Sequence, residues 1–163
     1  YVVTFRQIDP FYVLDLSNPN KPELKGELKI PGFSSYLHPI NEQLILGVGQ
    51  EDGRVKVSLF DVSDPNQPKE VDVYRLEDYW SEVATNHQAF LMDSKHEVFF
   101  LPASQGGYVI SYSNNNLELV KAVSEISARR AVFIEDYLYV IGDEGILVLD
   151  ENNWQAINQI SFD

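Results

Sequence analysis

The chain has 163 residues, no cysteine and a formal charge of −13. The missing cysteine excludes disulfides, zinc-thiolate sites, iron–sulfur clusters and a cysteine nucleophile. So acidic a chain lacks the basic face that nucleic acid or an anionic membrane would need, and no apolar run approaches the roughly 20 residues of a membrane-spanning helix.

The residues are 44% hydrophobic and 12% aromatic, rich enough for a sizeable core and too apolar for a disordered segment. Tyr, Phe and Val are plentiful, which favours strands. The chain opens without Met inside the strand-like run Tyr1-Val-Val-Thr-Phe5, as expected for a piece of a longer protein. Alternating apolar residues predict strands near 1–5, 11–16 and 23–30 in a first unit and 35–40, 43–49, 55–62 and 69–76 in a second. A third unit follows with strands near 87–92, 97–102, 107–112 and 117–123, and a fourth with 129–134, 137–142, 145–150 and 154–162. The only helix signal is about one turn near Tyr79–Ala84, in the loop joining the second unit to the third.

The units repeat. Tyr12-Val-Leu-Asp-Leu-Ser-Asn-Pro-Asn-Lys-Pro22 and Ser58-Leu-Phe-Asp-Val-Ser-Asp-Pro-Asn-Gln-Pro68 are near copies. In each, an Asp ends an apolar run and can accept backbone N–H bonds two residues on. The prolines that follow lack an N–H and stop ladder pairing. Aligned on the run ends Asp15, Asp61, Ser111 and Asp150, the period is 39 to 50 residues, the length of a four-stranded propeller blade. Gly53, Gly107 and Gly145 are placed to supply the positive φ of the hairpins between second and third strands. The reading is an all-β propeller fragment of about four blades of four antiparallel strands, the first lacking its inner strand. The blades run approximately 1–33, 34–80, 81–126 and 127–163.

Several stretches also resemble a known family. Val2-Val-Thr-Phe-Arg-Gln-Ile-Asp-Pro-Phe-Tyr-Val-Leu-Asp-Leu-Ser17, Ile30-Pro-Gly-Phe-Ser-Ser-Tyr-Leu-His-Pro39 and Ser58-Leu-Phe-Asp-Val-Ser-Asp-Pro65 are similar to secreted bacterial and archaeal proteins with a C-terminal β-propeller distantly related to WD-40 repeats. The Asp-[Leu/Val]-Ser-x-Pro-x-x-Pro units also resemble LVIVD-type propeller repeats. The resemblance implies an exported, cell-surface or envelope protein and supplies no catalytic residues.

In a propeller, the loops entering the innermost strands and the loops between second and third strands share one face. That face is expected to carry Gln7, Asp9, Ser35, Tyr36, His38, Gln50, Glu51, Asp52, Trp80, Asn86, His87, Arg129 and Arg130. Tyr36, His38, Trp80, His87, Arg129 and Arg130 are the candidate ligand-binding residues, since mixed aromatic and charged groups suit a binding surface. No catalytic residue is assigned: a Gly-x-Ser-x-Gly elbow and phosphate-cradling glycine motifs are absent. His38 and His87 lack the close spacing of a metal motif, and His96 reads as a surface turn residue. In the adjacent pair Arg129-Arg130, alternation should turn one guanidinium toward the channel or core and the other toward the neighbouring blade. The oxygen-rich loops Gln50–Gly53 and Asp61–Asp64 are weak calcium candidates without EF-hand spacing; no other cofactor is expected.

The leading expectation is a non-catalytic module that binds a protein or other extracellular ligand through its loop face. The rivals are a hydrolase or lyase with a channel site and a purely structural envelope spacer. Uncovered terminal blades further suggest self-association.

Overall fold

The computed structural model describes residues 1–2 and 10–162. Among them are fourteen strands, all paired antiparallel. They fall into two compact units, Tyr1–Tyr79 and Trp80–Asp163.

The first unit holds two sheets. β1 (Pro10–Asp15) pairs with β2 (Glu23–Lys29). β3 (Phe33–Pro39), β4 (Leu44–Glu51), β5 (Arg54–Asp61) and β6 (Lys69–Arg75) form a four-stranded meander in chain order. Val2 bridges to Tyr12; the remainder of the expected strand 1–5, with Gln7 and Asp9, lies outside the described residues. The two sheets share a core of Phe11, Val13, Ile30, Ile45, Phe60 and Val62. Phe11 stacks on Phe60 with ring centroids 4.5 Å apart, and both rings are fully buried. Each contributes on the order of 2–3 kcal/mol by removal from water.

The second unit holds two meanders. One is β7 (Leu91–Asp93), β8 (Val98–Ala103), β9 (Gly106–Ser111) and β10 (Glu118–Val123). The other is β11 (Ala128–Ile134), β12 (Tyr137–Gly142), β13 (Gly145–Asp150) and β14 (Gln155–Ser161). Val98, Phe100, Val109, Ala131, Val140 and Leu149 are among the buried side chains of their common core.

The repeat works as its chemistry suggests. Asp15 accepts from the Ser17 N–H and Asp61 from the Ser63 N–H, both at 2.9 Å. Ser111 accepts from the Ser113 N–H at 3.2 Å and Asp150 from the Asn152 N–H at 2.9 Å. One further feature recurs in all four sheets. Each outer strand gains an extra residue just before the run end: Lys25, Val71, Val120 and Ile157. Such bulges strengthen twist and blunt an edge that would otherwise pair with another chain.

Three details differ from the sequence reading. β7 is shorter than 87–92, because His87–Ala89 form a short 3-10 turn whose entry residue Asn86 accepts the Gln88 N–H. The positive φ between β8 and β9 belongs to Gly106 (127°) rather than Gly107. Gly145 has an ordinary φ; a Cβ there would come within 2.1 Å of the Ile160 carbonyl oxygen, so a close backbone approach requires its glycine. The expected turn near Tyr79–Ala84 is a 3-10 turn at Glu82–Ala84.

Candidate functional site

Two clefts lie at the loop ends singled out by sequence, one in each unit. In the second unit a cleft of about 360 Å³ is bounded by Trp80, Ala103, Ser104, Ser127, Ala128, Arg129, Asp143 and Glu144. The turn between β8 and β9 supplies Ser104, the turn between β12 and β13 supplies Asp143 and Glu144, and the start of β11 supplies Arg129. Trp80 is 39% exposed. Arg129 donates to Asp143 Oδ2 from Nε at 2.9 Å and from Nη2 at 2.7 Å. Its Nη1 lies 3.6 Å from Glu82 Oε2. The hydrogen bond to Asp143 raises the Arg129 pKa above its usual value, and Arg129 holds the Asp143 carboxyl below the usual range. Neither group therefore titrates near neutrality, where a general acid or base would need to.

The structure explains why Arg129 and Arg130 do not alternate. A bulge between Ala128 and Arg130 interrupts the register with β12, so both arginines are exposed. The expected inward-facing guanidinium is not found.

In the first unit a cleft of about 670 Å³ lies between Lys29–Phe33 and Gln50–Gly53. Asp52 and Gly53 both have positive φ, 50° and 77°, the conformation a tight Asp-Gly hairpin demands. Glu51 sits at its edge in an ion-pair network with Arg75 Nη2 at 2.8 Å and Lys56 Nζ at 3.5 Å. Tyr36 and His38 are half-buried on β3, and the Tyr36 hydroxyl lies 2.9 Å from His38 Nδ1. Burial pushes the His38 imidazole down and the Tyr36 phenol up, which favours the neutral form of both near pH 7.

Of the six candidates, the structure thus brings Tyr36 to His38 and Trp80 to Arg129. His87 stands exposed on its 3-10 turn and Arg130 exposed on β11.

Comparison with known proteins agrees with this architecture. The sequence matches the model of the beta propeller domain family over residues 1–154. The chain belongs to that family. An uncharacterized protein of Archaeoglobus fulgidus is 59% identical over 162 residues, which is 99% of this chain and 26% of the relative. An uncharacterized protein of Methanocaldococcus jannaschii is 47% identical, over 100% of this chain and 26% of its own length. The propeller chain thus spans about a quarter of the length of these relatives. Apo AztD from Citrobacter koseri shares the fold at a TM-score of 0.56 and 14% identity, over 96% of this chain and 45% of that one.

At the opposite ends of the propeller's strands lies a group that sequence reasoning missed. His96, in the turn between β7 and β8, is only 16% exposed at its side chain, not a surface residue. Its Nδ1 is 2.5 Å from Asp93 Oδ2 and 3.7 Å from Glu151 Oε2. Burial pushes the Glu151 carboxyl up to about 7, and the neighbouring Asp93 charge adds to the shift. A signal existed in the sequence. The residue after each run end is Leu16, Val62, Tyr112 and then Glu151: a carboxylate stands where the repeat elsewhere has an apolar side chain.

Proposed function

We propose that this chain is a non-catalytic propeller module of an exported protein, binding a protein or other extracellular ligand through its loop ends. The observation that carries the reading is the second unit's cleft, where the part-exposed Trp80 stands beside an arginine already oriented by Asp143. An amphipathic ring next to a pre-positioned guanidinium is the composition of a binding hot spot. The hydrolase or lyase reading is weaker, because the two ionisable groups paired in that cleft are shifted away from neutrality. Export rests on the sequence resemblance to secreted propeller proteins.

Photo-crosslinking tests the proposal. A photoreactive residue replaces Ser104 in the full-length protein, which is irradiated in its native cells. A discrete adduct that disappears with Trp80→Ala supports the cleft as the binding site. No adduct, or one indifferent to Trp80→Ala, rejects it. Cell fractionation tests export: recovery of the protein only in the cytosol rejects that part.

A further inference from the structure

The buried group at the far ends of the strands has a different chemistry from the cleft. Asp93 ends β7, His96 lies in the turn after it, and Glu151 follows the end of β13. One ligand atom from each lies within 4.8 Å of the others. Asp93 and Glu151 side chains are 3% and 0% exposed. Neither oxygen of Glu151 accepts a hydrogen bond. A cavity of about 10 Å³ adjoins Asp93 and Glu151 and is otherwise walled by apolar side chains such as Leu91, Phe100 and Leu138. We infer that Asp93, His96 and Glu151 form a binding site for one divalent transition-metal ion of the zinc class.

Charge is the first argument. Two carboxylates sealed from water and facing one another are costly unless a cation lies between them. A divalent ion balances both carboxylates in their ionised form and satisfies the Glu151 oxygens that no hydrogen bond reaches, whereas without one burial beside Asp93 favours the protonated Glu151. Geometry is the second. Tetrahedral zinc with bonds of 2.0–2.2 Å places its ligand atoms roughly 3.3 Å apart. The 2.5 Å and 3.7 Å separations around His96 Nδ1 bracket that value, so shifts of under an ångström bring them to it.

The surroundings are those of a metal ligand set. His96 Nε2 faces Asp136 Oδ1 at 3.6 Å, and Asp136 is itself ion-paired with Lys95. The free oxygen of Asp93 accepts the Lys95 N–H at 2.8 Å. Coordination at Nδ1 would replace its present hydrogen bond to Asp93 Oδ2, and a shift of about half an ångström would bring Asp136 within reach of the Nε2–H, the outer-shell partner a metal-bound histidine uses. The donor set also selects among ions. An imidazole nitrogen suits zinc and its neighbours, whereas calcium takes oxygen only and needs six or more ligands. Magnesium likewise prefers an octahedron of oxygen ligands and keeps several waters, which an imidazole nitrogen and two buried carboxylates do not offer.

The test uses the chain after chelator treatment, titrated calorimetrically at pH 7.5 with zinc, manganese and calcium chlorides. Metal content after gel filtration is measured by mass spectrometry. The expected result is one zinc per chain, a higher melting temperature with zinc, and no calcium bound. His96→Gln and Glu151→Gln should each weaken zinc binding at least 10-fold; His87→Gln should leave it unchanged. Glu151→Gln is isosteric and removes a buried charge, so it should fold, and its circular dichroism would verify this. Asp136→Asn, which removes the charge behind His96 together with its Lys95 pair, should weaken binding by about 10-fold. Substoichiometric zinc, zinc retained equally by His96→Gln and Glu151→Gln, or equal binding of calcium would overturn the assignment. So would loss of zinc on His87→Gln.

Discussion

Lys56 offers a direct test of how the first unit is held together. It lies on β5 with a side chain only 3% exposed. Its Nζ donates to the Pro31 carbonyl oxygen at 2.8 Å and lies 3.1 Å from Glu70 Oε1. The ammonium thus joins the segment leaving β2 to the outer strand of the next sheet. Lys56→Met keeps most of the stem and removes the charge. Glu51 retains Arg75, but Glu70, 17% exposed, loses this partner. Breaking a buried pair costs about 3–5 kcal/mol. The partial exposure of Glu70 lets water recover some of that, so the expected loss is about 2–3 kcal/mol. For a chain of this size that lowers the melting temperature by roughly 5–10 °C. Adding Glu70→Gln should restore at least half, because an amide needs no counter-ion. Urea unfolding followed by far-UV circular dichroism at pH 7 measures both. A Lys56→Met variant within about 0.5 kcal/mol of the parent, or a double variant weaker than the single, would refute the reasoning.

The turn carboxylates give two further expectations. Asp61→Ala should destabilise by on the order of 1 kcal/mol, through loss of the Ser63 bonds, without abolishing ligand binding; an unchanged urea midpoint would contradict this. The hydrogen bonds from Ser63 hold the Asp61 carboxyl below its usual range, so its contribution is present above about pH 4 and fades as pH falls through the lowered folded value. The melting-temperature difference between the parent and Asp61→Asn, which keeps an acceptor oxygen, should accordingly shrink as pH falls through the lowered folded value. The His38 imidazole should titrate below 6.5 in an NMR titration; a higher midpoint would show that burial does not govern it. The last sheet exposes Val132, Phe133, Ile134, Ile157 and Ile160, so the 163-residue chain should self-associate at micromolar concentration, and Ile157→Asp with Ile160→Asp should reverse this. A strictly monomeric parent in sedimentation equilibrium would reject that expectation.

What could be read from sequence was what is decided locally. Strand positions follow from alternation within a few residues, and the described strands lie close to the expected ones. The Asp-x-Ser caps are decided within three residues and were equally plain. Failures came where one residue's role depends on another strand. Arg129 and Arg130 both face solvent because β11 slips against β12, a register event invisible in the two letters themselves. Alternation places His87 in a strand, although Asn86, a ready acceptor for the Gln88 N–H, is the local sign of a turn. Gly106 rather than Gly107 takes the positive φ, and a Cβ there would also meet the Val123 carbonyl oxygen at 1.9 Å, from an outer strand that the turn's own letters do not reveal.

Asp150 and Glu151 show the same divide between neighbours. Asp150 closes its own turn through Asn152 and Asn153, and the repeat accounts for it fully. Glu151 cannot be understood from its turn at all. Its meaning comes from Asp93 and His96, more than fifty residues earlier in the chain. A repeat protein supplies its own control for such a position. Val62 and Tyr112 occupy the equivalent place and are buried, while Leu16, in the two-stranded sheet, is exposed; where the place is buried, the other units fill it with an apolar or aromatic side chain. A carboxylate accepted at that position works against local stability, since burial opposes its charge. Departures from a local rule are expected where a site requires them. Glu151→Val therefore separates the two demands: if the position serves only packing, valine should raise the melting temperature at no other cost. If it serves the metal, valine should raise the stability of the chelated protein and remove the further gain that zinc confers.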